Sequence, residues 1–232
     1  MSKKLGILGG MGPLATADLF KMIVLLTDAN SDQEHIHIVI DNNTSIPDRT
    51  TYIMGLGEDP RKYLIESAKQ LESMGAEFLI MPCNTAHYFY EDVVKEIDIP
   101  FLNIVEETVK FILDEYPNIN KIGLLATDGT CSTGIYDKYF SEYGIEVVKP
   151  TEDMQPKVMK FIYNMKNGKK DITLDGFYKA VEEMKELGAE VFVLGCTELS
   201  SAYEMFKMEG TYVDPLKVIA VRAINFSGMK VL

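Results

Sequence analysis

Cys83 and Cys196 sit in closely matched settings, and their pairing is where this sequence first suggests chemistry. Cys83 follows the apolar run Phe78–Met81 in Met81-Pro82-Cys83-Asn84-Thr85, and Cys196 follows Val191–Leu194 in Leu194-Gly195-Cys196-Thr197-Glu198. Each stands eight residues after the start of a Gly-Ala-Glu triplet, Gly75-Ala76-Glu77 or Gly188-Ala189-Glu190. A free thiol has a pKa of ~8.5, and a helix N-terminus lowers it. Both cysteines are expected where a strand turns into a helix, and therefore partly ionised. Inverting an sp³ carbon needs a base on one face to remove a proton and an acid on the other to return one. A thiolate facing a thiol can do both, the two trading roles at each turnover. A buried cysteine taken alone is equally well a small hydrophobe, so the repeated setting carries the argument. Cys131 has no counterpart and is expected to be structural or incidental.

The neighbouring polar residues offer a rival and a ligand. His87 lies four residues after Cys83, which would suit a Cys-His hydrolase. That chemistry leaves the second cysteine unexplained, and His87 is expected to cap or line the site. Asn42–Thr50 concentrates hydrogen-bonding side chains around one arginine, Arg49, and a guanidinium grips a carboxylate through two parallel bonds. The plainer alternative is a solvated loop in which Arg49 pairs with Asp48. Lys166 offers a second cation, although a lysine at a helix end is commonly just solvated.

Gly6-Ile7-Leu8-Gly9-Gly10-Met11-Gly12-Pro13 resembles a dinucleotide loop only superficially. Leu8 fills the second glycine position of G-x-G-x-x-G, and Pro13 removes an amide hydrogen from the turn. No Walker lysine follows the glycines. A tight loop bordering a small substrate is expected. The cysteine spacing offers no CxxC metal signature, so neither a nucleotide cofactor nor a metal is expected.

The elements that must position these residues alternate. Leu5–Leu8, Ile36–Ile40 and Phe78–Met81 read as strands, separated by helical patterns at Leu14–Leu26 and Arg61–Met74. The rhythm restarts with strands at Ile122–Ala126, Ile145–Val148 and Val191–Leu194, and helices at Gly134–Tyr143 and Leu174–Leu187. Lys4-Leu5-Gly6-Ile7-Leu8-Gly9 echoes Lys121-Ile122-Gly123-Leu124-Leu125-Ala126, an internal duplication. The expected fold is therefore α/β: two similar parallel-sheet domains related by a pseudo-twofold axis. Open parallel sheets bind ligands at the C-terminal ends of their strands, so both thiols would face one interdomain cleft. The expected division is residues 1–104 against 105–209, with a C-terminal helix in 210–232, read at Asp214–Ile224, returning to the first domain.

The composition limits the partners. A chain of 232 residues, 47% hydrophobic, can bury a substantial core, and a net charge of -12 disfavours nucleic acid or anionic membrane as a binding surface. The apolar run Leu5–Leu8 is too short for a membrane span or signal-peptide core. A cytoplasmic protein with reduced thiols is expected.

Four segments in order, Gly9-Gly10-Met11-Gly12-Pro13, Pro47-Asp48-Arg49-Thr50, Pro82-Cys83-Asn84-Thr85-Ala86-His87 and Gly195-Cys196-Thr197-Glu198, resemble the aspartate/glutamate racemase family over essentially the whole chain. The likeness is greatest to its aspartate racemases. The resemblance implies a pyridoxal-free racemase, often a homodimer, that acts on a small acidic amino acid. Cys83 and Cys196 match the proton donor and acceptor. Met11, Arg49, Thr50, Asn84, Thr85, Ala86 and Thr197 match substrate-binding positions, and Lys166 matches a lysine that approaches the side-chain carboxylate. Glutamate racemase, hydantoin racemase and maleate isomerase are the enzymatic alternatives, and an amino-acid-binding sensor without catalysis is the alternative from another class.

Overall fold

β1 (Leu5–Gly9) is buried along its whole length. A parallel strand covered on both faces has no solvent side, so its sequence is an unbroken apolar run. β2 (Ile38–Asn42) and β3 (Phe78–Ile80) flank it in parallel, with Leu5 opposite Ile38 on one side and Phe78 on the other. A parallel bridge between Leu79 and Phe101 adds a fourth position beyond β3. These strands belong to a computed structural model that describes residues 2–169 and 172–232.

The second sheet repeats the plan. β4 (Lys121–Ala126) lies between β5 (Glu146–Val148) and β6 (Val191–Gly195), and β7 (Tyr212–Val213) joins the outer side of β6. In each sheet the first strand is central, the second lies to one side, and the third and fourth positions to the other. The duplication seen in the Gly-Ala-Glu spacing is thus also one of topology, and the fold is two parallel-sheet α/β units.

The helices follow in chain order: α1 (Pro13–Leu26), α2 (Arg49–Ile53), α3 (Arg61–Ser73), α4 (Tyr90–Val94), α5 (Ile104–Glu115), α6 (Asp128–Thr133), α7 (Ile135–Ser141), α8 (Gln155–Lys166), α9 (Asp175–Glu186), α10 (Thr197–Phe206) and α11 (Pro215–Ser227). Their starts are chemically marked. Pro13 opens α1, where a missing N–H costs nothing. Asn103 caps α5 by accepting from the Val105 and Glu106 amides, with Glu106 and Glu107 in the first turn complementing the helix dipole.

The last helix, expected at Asp214–Ile224, spans Pro215–Ser227, and a short strand precedes it. Tyr212 and Val213 pair with Phe192 and Val193 in the second sheet, and the helix begins only at Pro215. The tail then runs along the first unit. The Lys3 amide donates to the Ser227 carbonyl at 2.9 Å and the Leu232 amide to that of Leu26 at 2.9 Å. The largest buried cluster crosses both halves, joining Leu5, Ile7 and Phe78 to Ile122, Leu124 and Val193 through α5 and α11. Among the described residues, no helix is long and apolar enough to cross a membrane.

Candidate active site

Loops at the C-terminal ends of both sheets converge on one pocket. The turn after β1 brings Met11, the start of α2 brings Arg49 and Thr50, and the turn after β3 brings Cys83, Asn84 and Thr85. From the second unit come Thr127 after β4, Lys166 at the end of α8, and Cys196, Thr197 and Glu198 after β6. Asp48 completes the wall. The Met11 turn depends on Gly10, whose φ is +95° and whose Cβ position lies only 2.3 Å from the Asn43 carbonyl oxygen; no side chain fits there. Of the expected substrate-binding positions, Ala86 alone stays off the pocket: it is fully buried in the apolar core of the first unit.

The two thiols are buried, each 6% exposed, and their settings are less alike than their spacing. Cys196 is the N-cap residue of α10. Cys83 instead precedes Asn84 and a 3-10 turn, Thr85–Phe89, so no α-helix N-terminus stands at it. The expected lowering of the Cys196 pKa is also reversed. Burial and the adjacent Glu198 carboxylate push this thiol well above the ordinary range, against a smaller pull from Lys166. Cys196 Sγ donates to Glu198 Oε2 at 2.9 Å.

Lys166 is not a solvated helix-end lysine. Its Nζ lies 3.9 Å from Glu198 Oε1. Burial works against its charge, yet Cys196, Glu198 and Cys83 together leave its pKa raised.

Arg49 is buried and opens a short helix, so the solvated loop with an Arg49–Asp48 pair does not form. Asp48 is engaged elsewhere, accepting from the Thr51 amide and hydroxyl, each at 2.8 Å. The Arg49 guanidinium is held by backbone carbonyls: Nη1 donates to Ile46 and Pro47 at 3.3 and 3.0 Å, and Nη2 to Met11 at 3.3 Å. Its Nε is buried without a protein partner. Asn84 is alike: Oδ1 accepts from the Tyr136 hydroxyl at 2.6 Å, while Nδ2 is buried and unpartnered. A buried donor left unpaired costs about 1–3 kcal/mol. Two such donors on residues of one pocket, one of them on the Arg49 cation itself and with Lys166 in the same wall, suit an anionic ligand.

Thr85 meets Thr127 and Thr130 of the second unit in a buried triangle of hydroxyls, with oxygens 3.0, 2.8 and 3.1 Å apart. Thr197 is likewise buried, and Thr50 half-buried. The pocket is almost closed, with about 10 Å³ of free space, roughly one water. Met11, Arg49, Lys166 and Glu198 also line a wider mouth of about 250 Å³.

His87 lies behind Cys83 and off the pocket. Its Nδ1 is 2.8 Å from the Cys83 carbonyl and its Nε2 accepts from the Ile104 amide at 3.2 Å. The carbonyl requires a proton on Nδ1 and the amide a lone pair on Nε2, which fixes the neutral tautomer. Burial moves the ring's pKa down to about 4, against a smaller opposing effect of the Cys83 carbonyl. With both nitrogens engaged, His87 cannot serve as the base of a Cys-His dyad. Cys131 lies outside the pocket, and burial pushes its thiol up to about 12.

The sequence motifs quoted Glu198 without giving it a role, and passed over Tyr136 and Thr127 altogether. An acid in a helix's first turn is ordinarily a dipole partner, and Tyr136 reaches Asn84 across 52 residues of sequence.

The chain belongs to the Asp/Glu/hydantoin racemase family, whose model matches residues 8–223. The family is one of racemases, isomerases by class. The broad specificity amino-acid racemase RacX of Bacillus subtilis (strain 168) is 28% identical over 95% of this chain and 96% of its own length. The solved structure of Picrophilus torridus aspartate racemase is 28% identical and covers 99% of this chain and 96% of that one, with a TM-score of 0.87. The glutamate racemase of Aquifex pyrophilus is 28% identical over 71% of this chain and 64% of its own length.

Proposed function

We propose that this chain interconverts L- and D-aspartate without pyridoxal phosphate, passing protons between Cys83 and Cys196. The observation that carries the reading is that these thiols, one from each unit, line the same pocket as the cation Lys166 and as Arg49 and Asn84, each of which holds a buried, unpartnered N–H. Residues 1–104 and 105–209 are the two units in this reading, with the C-terminal helix returned to the first. The family resemblance carries the pyridoxal-free part.

In one direction the Cys83 thiolate takes the Cα proton, and the electron pair left behind spreads into the α-carboxylate. The Cys196 thiol then delivers its proton to the opposite face, ending as a thiolate. The next turnover runs from the other enantiomer with the roles exchanged. Glu198, hydrogen-bonded to Cys196, shares one proton with that sulfur, so until that proton is delivered to the substrate the Cys196 side carries a single negative charge whichever atom holds it. Asn84, Thr85 and Thr197 hold the α-carboxylate, while Arg49 and Lys166 attract the side-chain carboxylate. Fixed donors in a dry pocket stabilise the developing carbanion, because they need no reorganisation as charge builds.

The wider mouth beyond Lys166 supports a second reading, in which a longer acidic side chain such as that of glutamate extends past the lysine. Circular dichroism of L-aspartate and L-glutamate with the purified protein, and deuterium uptake at Cα in D₂O, distinguish the two. Replacing either Cys83 or Cys196 by alanine is expected to lower racemisation at least about 100-fold, since each face needs its own acid–base group. Full activity in either variant would rule out the two-base route. Binding of aspartate to the wild type without Cα exchange would mark a sensor. We further read the enzyme as a cytoplasmic homodimer, checked by sedimentation, whose reducing surroundings keep the thiols free.

A further inference from the structure

Asn84 enters the pocket with its amide orientation set by the other unit. Tyr136, in α7, is fully buried with its ring stacked on Phe140 at a centroid distance of 6.3 Å. It does not line the pocket, and its hydroxyl donates to Asn84 Oδ1 at 2.6 Å. That bond leaves Asn84 Nδ2 as the buried amide end without a protein partner. We infer that Tyr136 is a positioning residue: by occupying Oδ1 it fixes Asn84 so that an N–H donor, and not a carbonyl oxygen, is offered to the substrate carboxylate.

The two ends of an asparagine amide are nearly the same size and opposite in sign. Rotated by half a turn, Asn84 would present an acceptor to a carboxylate and replace attraction by repulsion. The rotated amide would also donate to the Tyr136 oxygen, leaving the tyrosine's own proton to find another acceptor. Burial pushes the Tyr136 hydroxyl's pKa up, so this proton stays in place to donate. The second unit thereby sets the polarity of a group belonging to the first, immediately beside Cys83.

This inference rests on the carboxylate-substrate reading above, and its test separates the two. Succinate, which has both carboxylates of aspartate and no α-amine, serves as the probe. Its dissociation constant is measured by calorimetry for the wild type, Tyr136→Phe, Asn84→Ala and the double variant, with racemisation of aspartate assayed in parallel. Urea unfolding checks that each variant is folded. Tyr136→Phe keeps the ring and removes the donor, and is expected to weaken succinate about tenfold, the loss of one hydrogen bond to a charged group. In the Asn84→Ala background the same change is expected to do nothing further, because Tyr136 acts through Asn84. Asn84→Asp, which keeps an acceptor for Tyr136 but places a negative charge at the pocket, is expected to weaken succinate more than Asn84→Ala does.

Equal weakening by Tyr136→Phe in both backgrounds, no weakening at all, or a wild type that does not bind succinate would overturn the inference. Racemisation by the wild type without coupling in the cycle sinks the Tyr136 role alone. Coupling without racemisation sinks the racemase reading and leaves the Tyr136 role standing.

Discussion

Glu198 sets the protonation of Cys196 against the direction in which a helix N-terminus pushes it. The end of a helix carries about half a positive charge and stabilises an anion by at most ~2 kcal/mol. Here a carboxylate oxygen stands 2.9 Å from the sulfur in a buried site, and burial with that charge keeps the proton on the thiol. Two opposite consequences follow from replacing the carboxylate by an amide. With Cys83 and Cys131 changed to alanine, Glu198→Gln should speed alkylation of Cys196 by iodoacetamide at fixed neutral pH, about tenfold for each unit by which the thiol's pKa falls. With all three cysteines present, the same substitution should slow racemisation roughly 100-fold, because the sulfur loses its proton-sharing partner. The loss in kcat/KM must be equal in both directions, since the enantiomers have equal free energy. Unchanged alkylation would mean that Glu198 does not govern the thiol.

At the scale of elements, His87 ties the Cys83 turn to the first residue of α5. The ring has an ordinary pKa of 6.5 when unfolded and about 4 in the fold, where burial disfavours its charge. A group whose folded pKa is depressed binds more protons in the unfolded chain between those values, so its contribution to stability is full above pH 6.5 and declines as pH falls towards 4. The loss amounts to about 3 kcal/mol. His87→Gln keeps a donor and an acceptor but does not titrate. Urea unfolding at pH 7 and pH 4 should therefore show a smaller pH effect in the variant than in the wild type. Equal pH effects would show that the fold does not lower the ring's pKa. The strands were legible because buried parallel strands are continuous apolar runs, as in β1, β4 and β6. Between β2 and α2 residues 43–48 are a loop, and α2 itself went unread because five residues are too short to show a helical period. β7, at two residues, is shorter still. Cys83, Arg49 and Cys196 stood out by residue type and spacing. Tyr136 and the Thr127–Thr130 pair did not, because their importance lies in contacts with the other half.

For the whole molecule, the arrangement of apolar and polar contacts determines where the cleft can open. On one side the shared core through α5 and α11 joins both sheets, and parting it would expose apolar surface at ~25 cal/mol per Å². On the strand-end side the contacts are polar: the Thr85–Thr127–Thr130 triangle and the Tyr136–Asn84 bond. Water can replace those partners. An amino acid does not fit in about 10 Å³, so admitting one requires the polar side to open and then close again. Gly129 in α6 packs closely across the junction of the two units, against Thr50 and Thr85. A Cβ there would lie 2.9 Å from Thr50 Oγ1, 3.0 Å from Thr50 Cα and 3.0 Å from Thr85 Cγ2. Rotating a side chain cannot move the Thr50 backbone, so Gly129→Ala should hold the units slightly apart. Stability should fall by about 1–3 kcal/mol, as in other overpacked contacts. Racemisation should suffer more than the fold, with kcat/KM down at least about tenfold, since small misplacements of reacting groups are costly to rate. Urea unfolding alongside steady-state kinetics separates the two effects. Unaltered kinetics in a folded Gly129→Ala protein would mean that the approach of α6 to α2 does not control closure.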